Sequence, residues 1–258
     1  LARSLFMTFG LDHHNKILTI LKSFNHDVLK EGSAYFGGGT LLALDYKEYR
    51  WSKDIDFISP VFASGYKYLR TVVFDGGFEA LFRDLSKIKV GRGTTDQYGI
   101  RIIVIVDDLP IKTEIIAESR FELDPPRYPE WSPVPCLSFN DCFTSKLLSN
   151  SDRYMDDSVE ARDLIDLAIL RLQSAIPQQS IDKAEKAYEV IRPLKIAVKR
   201  FQERPDYRQE CFHGLQVNEA QIPIIIDGID LLASDFDLEI TERVFREQHD
   251  VFDNLETE

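Results

Sequence analysis

Apolar residues at Ile17, Leu18, Leu21, Phe24, Val28 and Leu29 recur at helical spacing, which predicts one amphipathic helix over 12–31 ending near Gly32. A short apolar strand from Ala34 to Phe36 then runs into three glycines and Thr40. Beyond them Leu41, Leu42, Leu44 and Tyr46 suit a buried helix, and Ile55, Phe57 and Ile58 suit a strand stopped by Pro60. The pattern continues with a helix over 62–74, a Gly76-Gly77 turn and three segments of strand character, 78–82, 99–106 and 111–117. Asp107-Asp108-Leu109-Pro110, between the last two, is a natural hairpin connection.

A Pro-rich stretch from Pro125 to Pro135 marks a change of composition, and from there the periodicity is helical: 138–149, 155–173, 178–203, 218–233 and, more weakly, 238–253. The expected organisation is an α/β (α+β) domain with a mixed sheet over 1–124, a linker over 125–137 and a C-terminal helical domain over 138–258. No internal repeat interrupts it.

Composition narrows the class without naming a function. A chain of 258 residues, 44% hydrophobic and 29% charged, buries a core without staples. No apolar run approaches a membrane span, and the N-terminal apolar stretch is too short for a signal peptide. Cys136, Cys142 and Cys211 are odd in number, widely spaced and without His at ligand spacing, so reduced thiols in a cytoplasmic protein are expected. A net charge of −12 argues against coating nucleic acid non-specifically, yet leaves room for a local basic pocket. Arg50, Lys53, Lys112, Lys146 and Arg162 all lie close in sequence to carboxylates, and the nucleotide is expected there.

The chemistry sits in the Gly37-Gly38-Gly39-Thr40 run and in Asp54-Ile55-Asp56. Residues two apart on a strand share a face, so Asp54 and Asp56 present paired carboxylates suited to bridging magnesium. Glycine backbone approaches a triphosphate closely, Thr40 adds a hydroxyl, and the following helix points its positive end at the anion. In Ile111-Lys112-Thr113-Glu114, Glu114 is the candidate third carboxylate, as metal ligand or proton acceptor. Lys112 contacts triphosphate or simply pairs with a carboxylate. Arg50 and Ser52 orient Asp54 and bind phosphate, or Arg50 is solvated surface.

An acidic pair alone says little among 43 Asp and Glu; the glycine run before it and the K-x-E strand after it carry the weight. Asp107-Asp108 and Asp156-Asp157 read as turn and cap residues. His13 and His14 face apart on a helix and do not form a metal pair. Tyr128 and Trp131 either stack on a base or pack the Pro-rich segment down.

Taken together, Phe36-Gly37-Gly38-Gly39-Thr40 and Arg50-x-Ser52-x-Asp54-Ile55-Asp56-Phe57 resemble the first motif of the AbiEii/AbiGii nucleotidyltransferase toxins, in the DNA polymerase β-like superfamily. Lys112-Thr113-Glu114-Ile115-Ile116 resembles the second motif, Lys146 the lysine of the third, and Arg162-Asp163-Leu164-Ile165-Asp166 the fourth. Glu160 departs from the family's frequent arginine. The resemblance implies a polymerase β-like mixed sheet followed by helices, two Mg2+ ions, a nucleoside triphosphate (NTP) as substrate and an antitoxin partner. In some relatives the acceptor is a tRNA 3′ end. Carried over, Lys146 neutralises phosphate charge, and Asp163 is a catalytic acid or base or orients Lys146, so that removing either impairs turnover and leaves melting unchanged. A transferase for a small molecule or protein hydroxyl, and a silent nucleotide- or partner-binding module, are the alternative readings.

Overall fold

The computed structural model describes residues 9–241. They form two compact units, divided between Cys142 and Phe143.

The first unit is built on a five-stranded mixed sheet in the order β1-β2-β5-β4-β3. Its strands are β1 (Tyr35–Gly37), β2 (Ile55–Pro60), β3 (Lys89–Thr95), β4 (Gly99–Val106) and β5 (Leu109–Glu118). β2 and β5 are parallel and every other pairing is antiparallel. Alternation decides which face is core. Ile100, Ile102, Val104 and Val106 of β4, Ile111 and Ile115 of β5 and Ile55 and Phe57 of β2 are buried. Arg101 and Glu114 point to the opposite face. Helix α1 (Asp12–Ser23) packs on β4, α3 (Gly38–Asp45) on β1 and β2, and α4 (Gly65–Gly76) on β2. Phe24, Phe36, Phe57 and Phe82 form an aromatic cluster within this core, with Phe24 and Phe82 centroids 4.5 Å apart.

Several elements differ from the sequence pattern. The expected helix over 12–31 is broken into α1 and α2 (His26–Glu31), because Asn25 is extended and its side chain accepts from the amides of Asp27 and Val28. The expected strand 78–82 is a 3₁₀ turn, Phe78–Leu81, entered through Gly77 at φ +73°. β3 escapes prediction because it is a largely exposed edge strand with glycines at 91 and 93 and a register shift between Val90 and Gly93. The expected hairpin connection is tighter than the sequence suggests: Asp107 and Asp108, both at positive φ, make a two-residue turn, and Leu109 and Pro110 already pair within β5.

The Pro-rich segment is folded into the first unit. Phe36 donates its amide to the Pro135 carbonyl and Leu137 donates to Phe36, so residues 135–137 run beside β1. Arg127 and Trp131 both bond to the Asp45 carboxylate at the end of α3, the indole N–H at 2.8 Å. Trp131 therefore packs this segment down, while Tyr128 stays exposed.

The second unit continues α5 (Phe139–Arg153) into α6 (Arg162–Gln173), α7 (Gln178–Glu185), α8 (Ile191–Glu203), α9 (Pro205–Gly214) and α10 (Ile222–Asp235). The expected helix 155–173 begins only at Arg162, since Glu160 and Ala161 are both left-handed. The expected helix 178–203 is two helices. Pro193 cannot accept a place inside a continuous helix, and it falls instead in the first turn of α8. α6 and α10 cross closely at Gly228, where a Cβ would sit 2.5 Å from the Ala168 carbonyl oxygen. Of the expected helix 238–253, residues 238–241 are not helical and the remainder lies outside the described residues. Cys136, Cys142 and Cys211 are buried free thiols, and burial pushes the first two up to about 12.

Candidate active site

In the first unit, antiparallel pairing places Gly37 opposite Asp56, and α3 starts at the next residue. Gly38 has φ +69°, and a Cβ there would lie 2.6 Å from Asp56 Oδ2. Only glycine satisfies both conditions, so the backbone entering α3 lies directly against the Asp56 carboxylate. No side chain caps α3, leaving its first-turn amides without the usual acceptor.

Thr40 is buried and its hydroxyl donates to the Asp54 carbonyl at 2.5 Å. Ser52 Oγ lies 2.7 Å from Thr40 Oγ1, and with Thr40's proton committed to Asp54, Ser52 is the donor. Both hydroxyls thus pin the entry of β2. From the other side, His13 Nε2 is 3.0 Å from the Lys53 carbonyl and His14 Nε2 is 3.1 Å from that of Ser52. His14 Nδ1 lies 2.6 Å from Glu48, whose carboxylate also accepts the Gly10 and Leu11 amides. Burial depresses the His14 pKa, and Glu48 pulls against it. The two histidines therefore face separate partners, as their adjacency predicts. Arg50 is buried, donates to the Trp51 carbonyl at 3.0 Å and lies over the Tyr49 ring, so it is not solvated surface.

One row of the sheet gathers the candidate residues. Asp56 is in register with Glu114, and Glu114 with Arg101. Directly paired residues share a face, so these side chains project together. Asp54 and Asp56 are half-buried. Lys112 Nζ pairs with Glu114 Oε2, and Arg101 Nε lies 3.1 Å from Glu114 Oε1. Lys112 thus pairs with a carboxylate, one of its two expected roles. Arg101 carried no sequence signal: it is a charged residue inside an alternating strand, and only the register brings it to Glu114.

Asp54 and Asp56 offer an all-oxygen donor pair beside glycine backbone, which fits a hard dication whose remaining ligands are substrate oxygens and water. Among the described residues no group of three or more His, Cys, Asp or Glu side chains is gathered as a metal cage. Glu114 faces its two cations.

In the second unit, Lys146, Asn150 and Arg153 follow one face of α5, and Asp163 and Asp166 one face of α6. Lys146 Nζ lies 3.1 Å from Asp163 Oδ1 and 2.6 Å from Asp166 Oδ2, and Arg153 Nε lies 2.6 Å from Asp163 Oδ2. Lys146 is 6% exposed, Asp163 2% and Asp166 0%. Burial works to raise the Asp163 pKa, but Lys146 and then Arg153 outweigh it and hold the carboxyl below the usual range. Expecting Lys146 and Asp163 to be dispensable for folding is therefore wrong, because each is a member of a buried charge cluster. Asn150 Nδ2 finds no acceptor among the described residues and borders, with Arg153, Asp163, Arg200 and Tyr207, a small cleft.

A mixed sheet with flanking helices, a glycine turn against a D-x-D strand and helices following the sheet together define a nucleotidyltransferase of the polymerase β-like class. The family described as nucleotidyl transferase AbiEii toxin, type IV toxin–antitoxin system, matches residues 19–248, and the chain belongs to it. A crystal structure from H. pylori, provisionally assigned as a nucleotidyltransferase, shares the fold at 15% identity and TM-score 0.50, covering 90% of this chain and 98% of its own. JHP933 from Helicobacter pylori aligns at 16% identity and TM-score 0.48, over 96% and 100% of the two chains. No curated protein matches. Among the described residues no helix is long and apolar enough to cross a membrane.

Proposed function

We propose that the Asp54–Asp56 strand is the catalytic centre, moving a nucleoside monophosphate from an NTP to an acceptor hydroxyl with release of pyrophosphate. The approach of the Gly38 backbone to Asp56 carries this reading, since it sets amide donors for phosphate oxygens beside carboxylates for metal. Two Mg2+ ions held by Asp54 and Asp56 would supply Lewis-acid stabilisation of the phosphoryl charge. Gly38 and Gly39 cradle the polyphosphate through their amides, while Thr40 and Ser52 hold the Asp54 backbone in place. Lys112 adds positive charge. Glu114 takes the attacking hydroxyl's proton or completes the metal shell, and Arg50 fixes the loop before β2. Lys146 and Asp163 are assigned to the reaction on the family resemblance, Lys146 as the charge that meets phosphate and Asp163 as the carboxylate that orients it.

The acceptor proposed is RNA, the tRNA 3′ end in particular, and the family's type IV toxin–antitoxin character implies an antitoxin partner. Incubating the full chain with each labelled NTP, Mg2+ and total RNA, then separating RNA, protein and small molecules, tests both parts. Label on RNA that disappears in Asp54→Ala and Asp56→Ala is the expected result. Equal labelling by both variants would overturn the site, and label on protein or a small molecule would replace RNA as acceptor.

A further inference from the structure

We propose that Arg101 is a polyphosphate contact of the nucleotide, set in place by Asp96, and that it leaves Glu114 for phosphate when the nucleotide binds; this rests on the catalytic reading of Asp54 and Asp56.

The register supplies the geometry. Asp56, Glu114 and Arg101 sit side by side on three neighbouring strands. With strands roughly 4.8 Å apart, the outer two Cα atoms are about 10 Å from each other. The guanidinium lies along its own strand beside Gly99, and its Nε reaches across to Glu114 Oε1, 3.1 Å away. It therefore stands on the same face of the sheet as Asp56, with the Glu114 carboxylate between the two strands.

The second hold on Arg101 comes from a carboxylate fixed by its own backbone bonds. Arg101 NH1 lies 3.1 Å from Asp96 Oδ2. Asp96 Oδ1 accepts the amides of Tyr98 at 2.7 Å and Gly99 at 3.0 Å, and these bonds, the first above all, keep the carboxyl below its ordinary range. Tyr66 donates its hydroxyl to the Asp96 carbonyl at 2.6 Å. Asp96 is thus an ionised, backbone-fixed anchor in the β3–β4 turn, and it continues to orient the guanidinium once Nε lets go.

Charge then favours the exchange. Glu114 holds two cations at once, Lys112 and Arg101, and to act on a proton or a metal it must give up at least one. The Arg101 side chain is 40% exposed, so its pair with Glu114 is solvent-screened and easily traded. A triphosphate offers several negative oxygens, two of which a planar guanidinium can contact at once. Arrival of nucleotide would both occupy Arg101 and free Glu114, making completion of the site depend on the substrate.

The test separates contact with nucleotide from mere support of the carboxylates. The four α,β-methylene nucleoside triphosphates are titrated calorimetrically, at saturating Mg2+, into the full-length wild type, Arg101→Ala, Arg101→Lys and Asp96→Asn. Mn2+ binding without nucleotide is followed in parallel by paramagnetic resonance. Loss of a charged phosphate contact in Arg101→Ala should weaken analogue binding at least about tenfold, with Mn2+ affinity undiminished. Arg101→Lys should recover part of that loss, and Asp96→Asn should show a smaller version of it. Analogue binding unchanged in Arg101→Ala, or Mn2+ affinity falling in step with it, would overturn the proposal while leaving the catalytic assignment of Asp54 and Asp56 intact. A wild type that binds no analogue would remove both.

Discussion

Glu114 meets Lys112 and Arg101 on the open face of a sheet, whereas Asp163 meets Lys146 and Arg153 in the interior of a helical unit. The chemical groups are the same, a carboxylate with a lysine and an arginine, but the surroundings set different roles. On the sheet the cations are 40% and 49% exposed, so the pairs are screened and contribute little to folding. In the helical unit Lys146, Asp163 and Asp166 are almost wholly buried, and removing one partner strands the others in a low-dielectric interior. A charge cluster at solvent can exchange partners with a ligand; a buried one is also part of the fold. Reduced activity in a variant therefore means different things in the two units.

Four variants test that contrast, from the largest expected effect downward. Asp54→Asn combined with Asp56→Asn should lower transfer by on the order of 10⁴-fold, more than about 5 kcal/mol of barrier, with melting nearly unchanged. Labelled-NTP incorporation beside thermal denaturation checks it, and a large fall in Tm would erase the difference between the two clusters. Lys146→Ala should cost about 3–5 kcal/mol of stability, because Asp163 and Asp166 then face each other without their shared cation. A urea titration that finds the variant as stable as wild type would mean that the buried cluster is as expendable as the open one.

Gly38→Val comes next. A β-branched residue at φ +69°, with its Cβ at the Asp56 carboxylate, should lose roughly 1–3 kcal/mol and most nucleotide use. Thr40→Val should have the smallest effect, about 1 kcal/mol of stability for the lost bond to the Asp54 carbonyl, with a modest drop in kcat and little change in KM for nucleotide. A rise in KM with kcat preserved would instead make Thr40 a nucleotide ligand.

Acid pH probes the buried cluster without mutation. The folded-state pKa of Asp163 is lowered, so its contribution to stability is present above the ordinary carboxylate range and is lost as pH falls through the lower folded value. Stability of Asp163→Asn should therefore start lower at neutral pH and fall less steeply below about pH 4. Parallel acid-denaturation curves for the two proteins would show that Asp163 gains nothing from Lys146 and Arg153.

Much of the site is legible along the chain because its signals are local. Gly37 to Thr40, Asp54, Asp56 and Glu114 announce themselves by residue type and spacing, and strands β4 and β5 by alternation. Asn25 marks the break between α1 and α2, and Pro193 the start of α8, each by capping or backbone chemistry that a periodic reading of apolar residues passes over. β3 leaves no such mark. It is held by pairing with β4, and an exposed edge strand needs no hydrophobic repeat. Glu48 is equally silent, since its bonds to His14 and to the start of α1 span more than thirty positions.

The amino-acid sequence by itself determined the class of enzyme, the order of the elements around the glycine turn and the acidic strand as the proposed seat of the chemistry, since each follows from neighbours a few residues apart. Tertiary structure alone decided the rest. It spent the Thr40 hydroxyl on the Asp54 carbonyl and the Ser52 hydroxyl on Thr40, and brought Arg101 beside Glu114. It folded the Pro-rich stretch into the first unit, and buried Lys146 with two aspartates. Register and burial set those outcomes, and both depend on which distant segment a residue is packed against, a relation that spacing along the chain does not encode.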